Sequence, residues 1–205
     1  MRIPFCSLFY FASLAFLAHA AFAVENPIFV SSRNQVMFHG GISVRSGGIE
    51  GFREVKSDGS RGNYKPDLGY ASLTYSQPTD FFRMASRRNL ELGVMAGRKH
   101  GGVERSDNSV ATKNYAHYNQ ALLGVSQDAL FGRSPLYLSL GLGAYIKSKA
   151  TDRISSRFTF GGRAALGTNI GAVSLEAYAR HFSNGSLNES NSGQNFIGIS
   201  AGMRF

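Results

Sequence analysis

The sequence predicts an all-β fold, an eight-stranded antiparallel transmembrane β-barrel of the outer membrane, and three observations carry that expectation. The stretch from Val173 to Phe205 reads as two strands about a polar loop, VSLEAYARHFS, NGSLNESNSGQN and FIGISAGMRF, and it ends on an aromatic residue of the apolar face. Eight segments of strand length follow one another, separated by connections that alternate between long and short. The composition pairs 24 Gly and 12% aromatic residues with no Trp and no helical apolar period long enough to make a core. Glycine alternating with aromatics suits a narrow barrel whose interior must be filled without crowding.

The chain opens with Arg2, an apolar run from Ile3 to Leu17, and small residues Ala21 and Ala23 flanking Phe22. This pattern reads as a secretory signal peptide cleaved after Ala23, with cleavage after Ala20 as the alternative. The expected organisation is therefore a signal peptide over residues 1–23 and one β-barrel domain over residues 24–205. The sole cysteine, Cys6, lies in the removed segment, so the mature chain has neither disulfide nor thiol chemistry.

Strands are expected at about 35–45, 67–77, 89–99, 115–127, 136–147, 157–168, 173–183 and 196–205, with ends good to a few residues. The third puts Leu90, Leu92, Val94 and Ala96 on one face. The second and fourth alternate poorly. The fifth is the clearest: Leu136, Leu138, Leu140, Leu142, Ala144 and Ile146 oppose Tyr137, Ser139, Gly141, Gly143, Tyr145 and Lys147. The sixth adds Phe158, Phe160, Ala164 and Leu166 to the apolar face. The seventh sets Val173, Leu175, Ala177 and Ala179 against Ser174, Glu176, Tyr178 and Arg180, and the eighth sets Ile197, Ile199, Ala201, Met203 and Phe205 against Gly198, Ser200, Gly202 and Arg204. Period-two alternation of this kind, apolar side to lipid, is the barrel pattern.

With an even strand count both termini lie on the periplasmic side, and connections 46–66, 100–114, 148–156 and 184–195 face outward. The inward turns 128–135 and 169–172 are shorter, whereas 78–88 is long and carries Arg83, Arg87 and Arg88 without an evident function. Arg45, Glu91, Arg163, Glu176, Arg180 and Arg204 fall on the polar face, where they would pair inside a lumen too narrow for a channel. The expectation is therefore a plugged lumen rather than a pore. The formal charge of +9, or +8 without Arg2, concentrates near the outward loops at residues such as Arg53, Lys56, Lys113, Lys147, Lys149, Arg153 and Arg157. Nucleic acid is the usual partner of a basic chain, but at the outer membrane these side chains meet the phosphates of lipopolysaccharide, so the expected partners are lipid A and outer-membrane lipids, with no nucleic acid. A homodimer stays open.

Carrying the odd parity of the seventh strand forward brings His181 and then Ser183 to the lipid-facing side, where polar groups are costly unless they have a role. A His two residues from a Ser on one strand face is the minimum arrangement of base and serine nucleophile. Asn184, Gly185 and Ser186 follow as candidate donors for an oxyanion hole. Asn195 shares the parity of Ile197 and so projects beside His181 from the neighbouring strand. No metal or cofactor is implied, because His39, His100, His117 and His181 are scattered without ligand spacing.

The run His181-Phe182-Ser183-Asn184, followed by Asn191, Gly193 and a closing Arg204-Phe205, resembles the outer-membrane lipid A 3-O-deacylases. The likeness extends upstream through Tyr75-Ser-Gln-Pro with Phe81-Phe82 and through Leu140-Gly-Leu-Gly-Ala-Tyr-Ile146, and so covers most of the mature chain. It implies an eight-stranded barrel at the outer leaflet that acts as a serine esterase, with His181 and Ser183 catalytic. It also implies that the ester cut is the 3-O-linked acyl chain of lipid A. Where the family's best-known member carries a Glu that orients the imidazole, this sequence has Asn195, an amide that orients but does not stabilise an imidazolium as a carboxylate does, which implies weaker catalysis; Glu189 in the loop is the alternative orienting residue. Two rival readings use the same scaffold: a non-catalytic structural or adhesive barrel, and a lipid A palmitoyl transferase or phospholipase.

Overall fold

The computed structural model describes residues 33–44, 53–55, 61–63, 67–81, 84–104, 110–114, 116–133, 135–151, 153–187, 191 and 193–205, with backbone alone for 53–55, 61–63, 99–104, 110–114 and Arg133. Eight strands build the barrel: β1 Gln35–Val44, β2 Leu68–Phe81, β3 Met84–Gly97, β4 Gln120–Arg133, β5 Leu136–Lys147, β6 Phe158–Ile170, β7 Val173–Ser183 and β8 Gln194–Arg204. Each pairs antiparallel with its sequence neighbour, and β8 pairs with β1 from Gln35↔Arg204 to Val44↔Asn195, which closes the sheet. The expected signal peptide, residues 1–23, lies outside the described residues.

Alternation decides which way each side chain points. On β7 Val173, Leu175, Ala177 and Ala179 are exposed while Ser174, Glu176, Tyr178 and Arg180 are buried. The same rule turns Leu90, Leu92 and Val94 of β3, Leu142 and Ile146 of β5, Leu166 of β6 and Ile199 and Met203 of β8 outward, each more than half exposed. The outside of the wall is thus an apolar band, and the polar face is the interior, the reverse of a water-soluble barrel.

Strands β5 and β7 occupy the expected residues. The first four differ in their ends. Residues 78–88, expected as a long connection, are mostly strand: β2 runs to Phe81 and β3 starts at Met84. Pro78 disguises this continuation, and it is tolerated because β1 pairs with β2 only as far as Ser76, so Pro78 needs no hydrogen bond on that side. The strand expected at 115–127 is β4, displaced to 120–133 behind a 3₁₀ turn at Ala116–Tyr118. Short hairpins, Arg53–Val55 with Arg61–Asn63 and Lys99–Glu104 with Val110–Asn114, occupy parts of the first two long connections.

Inside, the glycines and tyrosines fit together. A Cβ at Gly124 or Gly161 would fall 2.1 or 2.5 Å from the Tyr145 ring, and one at Gly167 would fall 2.4 Å from the ring of Tyr137. The tyrosines therefore fill the lumen only because the facing strands carry no side chain there. Charges fill the rest. Arg87 donates to Asp128 at 3.1 Å and to Glu176 at 2.7 Å, Arg163 pairs with both of those carboxylates, and Arg180 pairs with Glu91 beside Tyr70. Arg87 and Asp128 join the network although the sequence reading left Arg87 in a turn. Arg204 departs from expectation too: it sits at the rim, where it donates to Gly171 O. Arg45 lies outside the described residues.

Such a network is costly to break on one side, because the surviving charge stays buried. Glu176 accepts from Arg87, Arg163 and Tyr137 at once. Glu176→Gln should destabilise the barrel by about 3–5 kcal/mol, read as a lower temperature or urea concentration at which the compact, unboiled gel band gives way to the unfolded band. An unchanged midpoint would show that the network does not support the fold.

Candidate active site

Strand β7 carries the site on its outer face and its anchor on the inner one. Phe182, between His181 and Ser183, is fully buried, with its ring 5.2 Å from Tyr145, edge to face, and 6.2 Å from Phe196. Tyr70 closes the cluster at 5.3 Å from Phe196, and the Arg180 guanidinium lies 5.5 Å from the Phe182 ring. Aromatic pairs of this geometry add about 0.5–1.5 kcal/mol each beyond burial. A strand pinned through Phe182 and Arg180 has no freedom to slip, so His181 and Ser183 hold their outward positions.

His181 pairs across the ladder with Asn195 on β8 and with Gly162 on β6. Its Nδ1 lies 2.6 Å from Asn195 Oδ1. With a carbonyl oxygen as the partner, Nδ1 carries the proton and Nε2 keeps its lone pair. Both residues are half-buried, on the outside of the wall. Ser183 follows on the same face, about 7 Å further along the strand, and is only 4% exposed. Its backbone oxygen accepts from Thr159 Oγ1 at 2.6 Å. Ser183 Oγ and His181 Nε2 are not hydrogen-bonded to each other, a looseness common in sites without substrate.

After Ser183 the chain reverses at once. Gly185 and Ser186 have φ of 64° and 63°, and Leu187 N–H donates to Asn184 O at 3.2 Å, the marks of a tight turn with both central residues left-handed. For Ser186 that conformation is strained. Asn184 compensates, its buried side-chain Oδ1 accepting from Ser186 N–H at 3.0 Å. Its own N–H donates to Asn191 Oδ1 at 3.0 Å, and Asn191 forms a β-bridge with Ile154. Of the residues expected to form the oxyanion hole, Ser186 has its backbone N–H engaged by Asn184 Oδ1 and Asn184 has its own engaged by Asn191 Oδ1, whereas Gly185 N–H meets no acceptor among the described residues.

The bridge to Ile154 ties the turn to the 148–157 connection, which lies as a strap over the mouth. Ile154 is fully buried, and Arg153 donates to Asp67 at 3.0 Å and stacks 4.6 Å above the Tyr118 ring. Around Ser183 the wall is apolar: its ladder partner Phe160 packs against Gly185 and stands edge to face with Phe158 at 5.1 Å, and Leu187 is 64% exposed. Glu189, the alternative orienting residue, lies outside the described residues. Sequence spacing showed the His181–Asn195 pairing. It missed the hold of Asn191 on Asn184, since an Asn in a polar loop has no pattern of its own.

The sequence profile of the lipid A 3-O-deacylase (PagL) family matches residues 69–204, about two thirds of the chain. The chain belongs to that family. Its fold is also similar to the crystal structure of the outer membrane enzyme PagL, with a TM-score of 0.50 and 11% identity over 83% of this chain and 99% of that one. The β domain of the Bordetella autotransporter BrkA aligns at a TM-score of 0.31 and 10% identity, over 85% of this chain and 67% of that one. No curated protein matches the sequence. The PagL family member described here is thus an outer-membrane β-barrel of a family of lipid A deacylases, and by the rule for such barrels the short connections that join β2 to β3, β4 to β5 and β6 to β7 are on the periplasmic side.

The strap generates a prediction. Removing Arg153 or Asp67 breaks the same partly buried latch, so Arg153→Ala and Asp67→Asn should each speed proteinase K cleavage of the outer loops in the folded barrel by about fivefold, equivalent to ~1 kcal/mol of local opening. The double variant should be no faster than either single one. Additive acceleration would separate the two side chains.

Proposed function

We propose that this PagL family member is a serine esterase that hydrolyses the 3-O-linked acyl ester of lipid A at the outer leaflet. The observation that carries the reading is the hydrogen-bonded pair His181 and Asn195, facing out of the barrel into the apolar band with Ser183 two residues on. Polar groups placed there serve a substrate that arrives through the membrane.

In the first half-reaction Ser183 Oγ attacks the ester carbonyl carbon while His181 Nε2 takes the hydroxyl proton. The carbonyl oxygen gains charge and is met by Gly185 N–H, presented by the turn that Asn184 Oδ1 holds through Ser186 N–H. The bond to the sugar oxygen then breaks, and His181 returns the proton to that leaving hydroxyl. In the second half-reaction water adds to the acyl-serine with His181 again as base, freeing the fatty acid and restoring Ser183. Asn195 fixes the imidazole through Oδ1 but carries no charge to balance the imidazolium.

Lipid A species lighter by one 3-hydroxyacyl chain should appear in mass spectra of the outer membrane when this chain is expressed, and Ser183→Ala and His181→Ala should abolish them without loss of the folded gel band. Asn195→Asp places a carboxylate at the same reach and should raise turnover by about tenfold or more, within the ~10⁴ that a carboxylate is worth in a related triad. A folded wild-type barrel that leaves lipid A intact, with Asn195→Asp equally silent, would favour the non-catalytic barrel.

Two of the basic side chains expected to meet lipid A phosphate have other roles, since Lys147 is fully buried and Arg153 is latched to Asp67. Lys149 and Arg157 remain at the rim. Arg157 donates Nε to Lys147 O at 3.1 Å, next to Phe158, which leaves its terminal N–H groups for a phosphate. Charge reversal of Lys149 and Arg157 together should raise KM more at low salt than at high salt. Equal effects at both would leave them as solvated surface.

A further inference from the structure

Gly193, immediately before β8, is buried at φ 72°. A Cβ there would stand 2.7 Å from His181 Cε1, 3.5 Å from Nε2 and 3.4 Å from Phe182 O. Gly171, in the turn between β6 and β7, has a similar φ of 59°, yet a Cβ there would meet nothing within 4 Å. The two glycines share a backbone conformation that strains any other residue. They differ in that one of them has the imidazole against it.

The second torsion of histidine is soft and roughly two-fold, so the ring needs support beyond its attachment to the strand. A carboxylate partner would supply a charge-assisted bond about twice as strong as a neutral one, but Asn195 supplies the neutral bond. We propose that Gly193 is a positioning residue for His181: its bare backbone closes the Cε1 edge of the ring, so that the imidazole is held between Asn195 Oδ1 and Gly193 and keeps Nε2 directed for Ser183. A methyl group at residue 193 forces the ring away from that edge. The consequence for catalysis rests on the serine esterase reading above; the steric contact does not.

The test is a cycle of Gly171→Ala, Gly193→Ala, His181→Ala and His181→Ala with Gly193→Ala, read by the urea or temperature midpoint of the folded gel band and, for the chains that retain His181, by kcat and KM on lipid A. Gly171→Ala reports backbone strain alone and should keep wild-type turnover. Gly193→Ala should lower the midpoint further than Gly171→Ala, and that excess should vanish once the imidazole is removed. Its kcat should fall about a hundredfold, the usual result of a 1 Å misplacement, with KM little changed. If Gly193→Ala fails to fold but folds with His181→Ala, the excess is at its largest and the contact stands. Equal midpoints for the two glycine variants, an excess that persists without the imidazole, or failure of the double variant to fold would overturn the proposal. Wild-type turnover tests the esterase reading separately, since the stability cycle requires no activity.

Discussion

The constraint on which the rest of this barrel depends is the two-sidedness of β7. One strand presents Glu176, Tyr178, Arg180 and Phe182 to the lumen and Ala177, Ala179, His181 and Ser183 to the outside. A slip of one residue would exchange the sets, burying the histidine and serine and pushing two charges into lipid. The inner set makes that slip prohibitive: Glu176 is clamped by Arg87 and Arg163, Arg180 by Glu91, and Phe182 by a ring cluster. The ion network sits on the opposite face from the candidate site, yet it fixes where that site stands on the wall. Buried charge acts here as a register device, at an energetic cost that apolar packing would not carry.

Sequence made much of this legible because barrel strands obey a strict period. The eight strands, the outward apolar faces and the parity that sets Asn195 beside His181 all follow from alternation, which is local. What alternation could not reveal was set by distant partners. The end of β2 was hidden by Pro78, whose acceptability depends on where β1 stops. Arg87 read as a turn residue until the strand was extended, and then became the centre of the lumen. Arg153 read as a free cation because its partners, Asp67 and Tyr118, come from two other connections. In each case the missing information lay across the barrel from the residue.

The same contrast explains the site. The His-x-Ser pair and its Asn neighbour were visible as spacing on one strand and parity on the next. The apparatus that supports them was not, since Asn191, Ile154 and Gly193 contribute a carbonyl oxygen, a backbone bridge and an absent side chain. Residue identity leaves little trace of such roles. The left-handed turn at Gly185 was not read from the sequence either, and Ser186 shares its strain while Asn184 uses its side-chain oxygen to relieve it.

Under the proposed esterase reading, a serine and a histidine on the outside of a wall would change the electrostatics of hydrolysis. In a water-filled cleft a neutral orienting amide leaves the imidazolium to solvent, whereas at the margin of an apolar band solvent is scarce and each fixed dipole counts for more. On the proposed reading, the phosphates of the substrate would bring negative charge to the rim near Arg157 and Lys149. That charge, arriving only with the bound lipid, would supply part of the field that a carboxylate at residue 195 would otherwise provide. Under that proposal an amide in third place is less of an anomaly than it would be in water, because an amide beside the imidazole costs less to hold next to lipid than a buried carboxylate would.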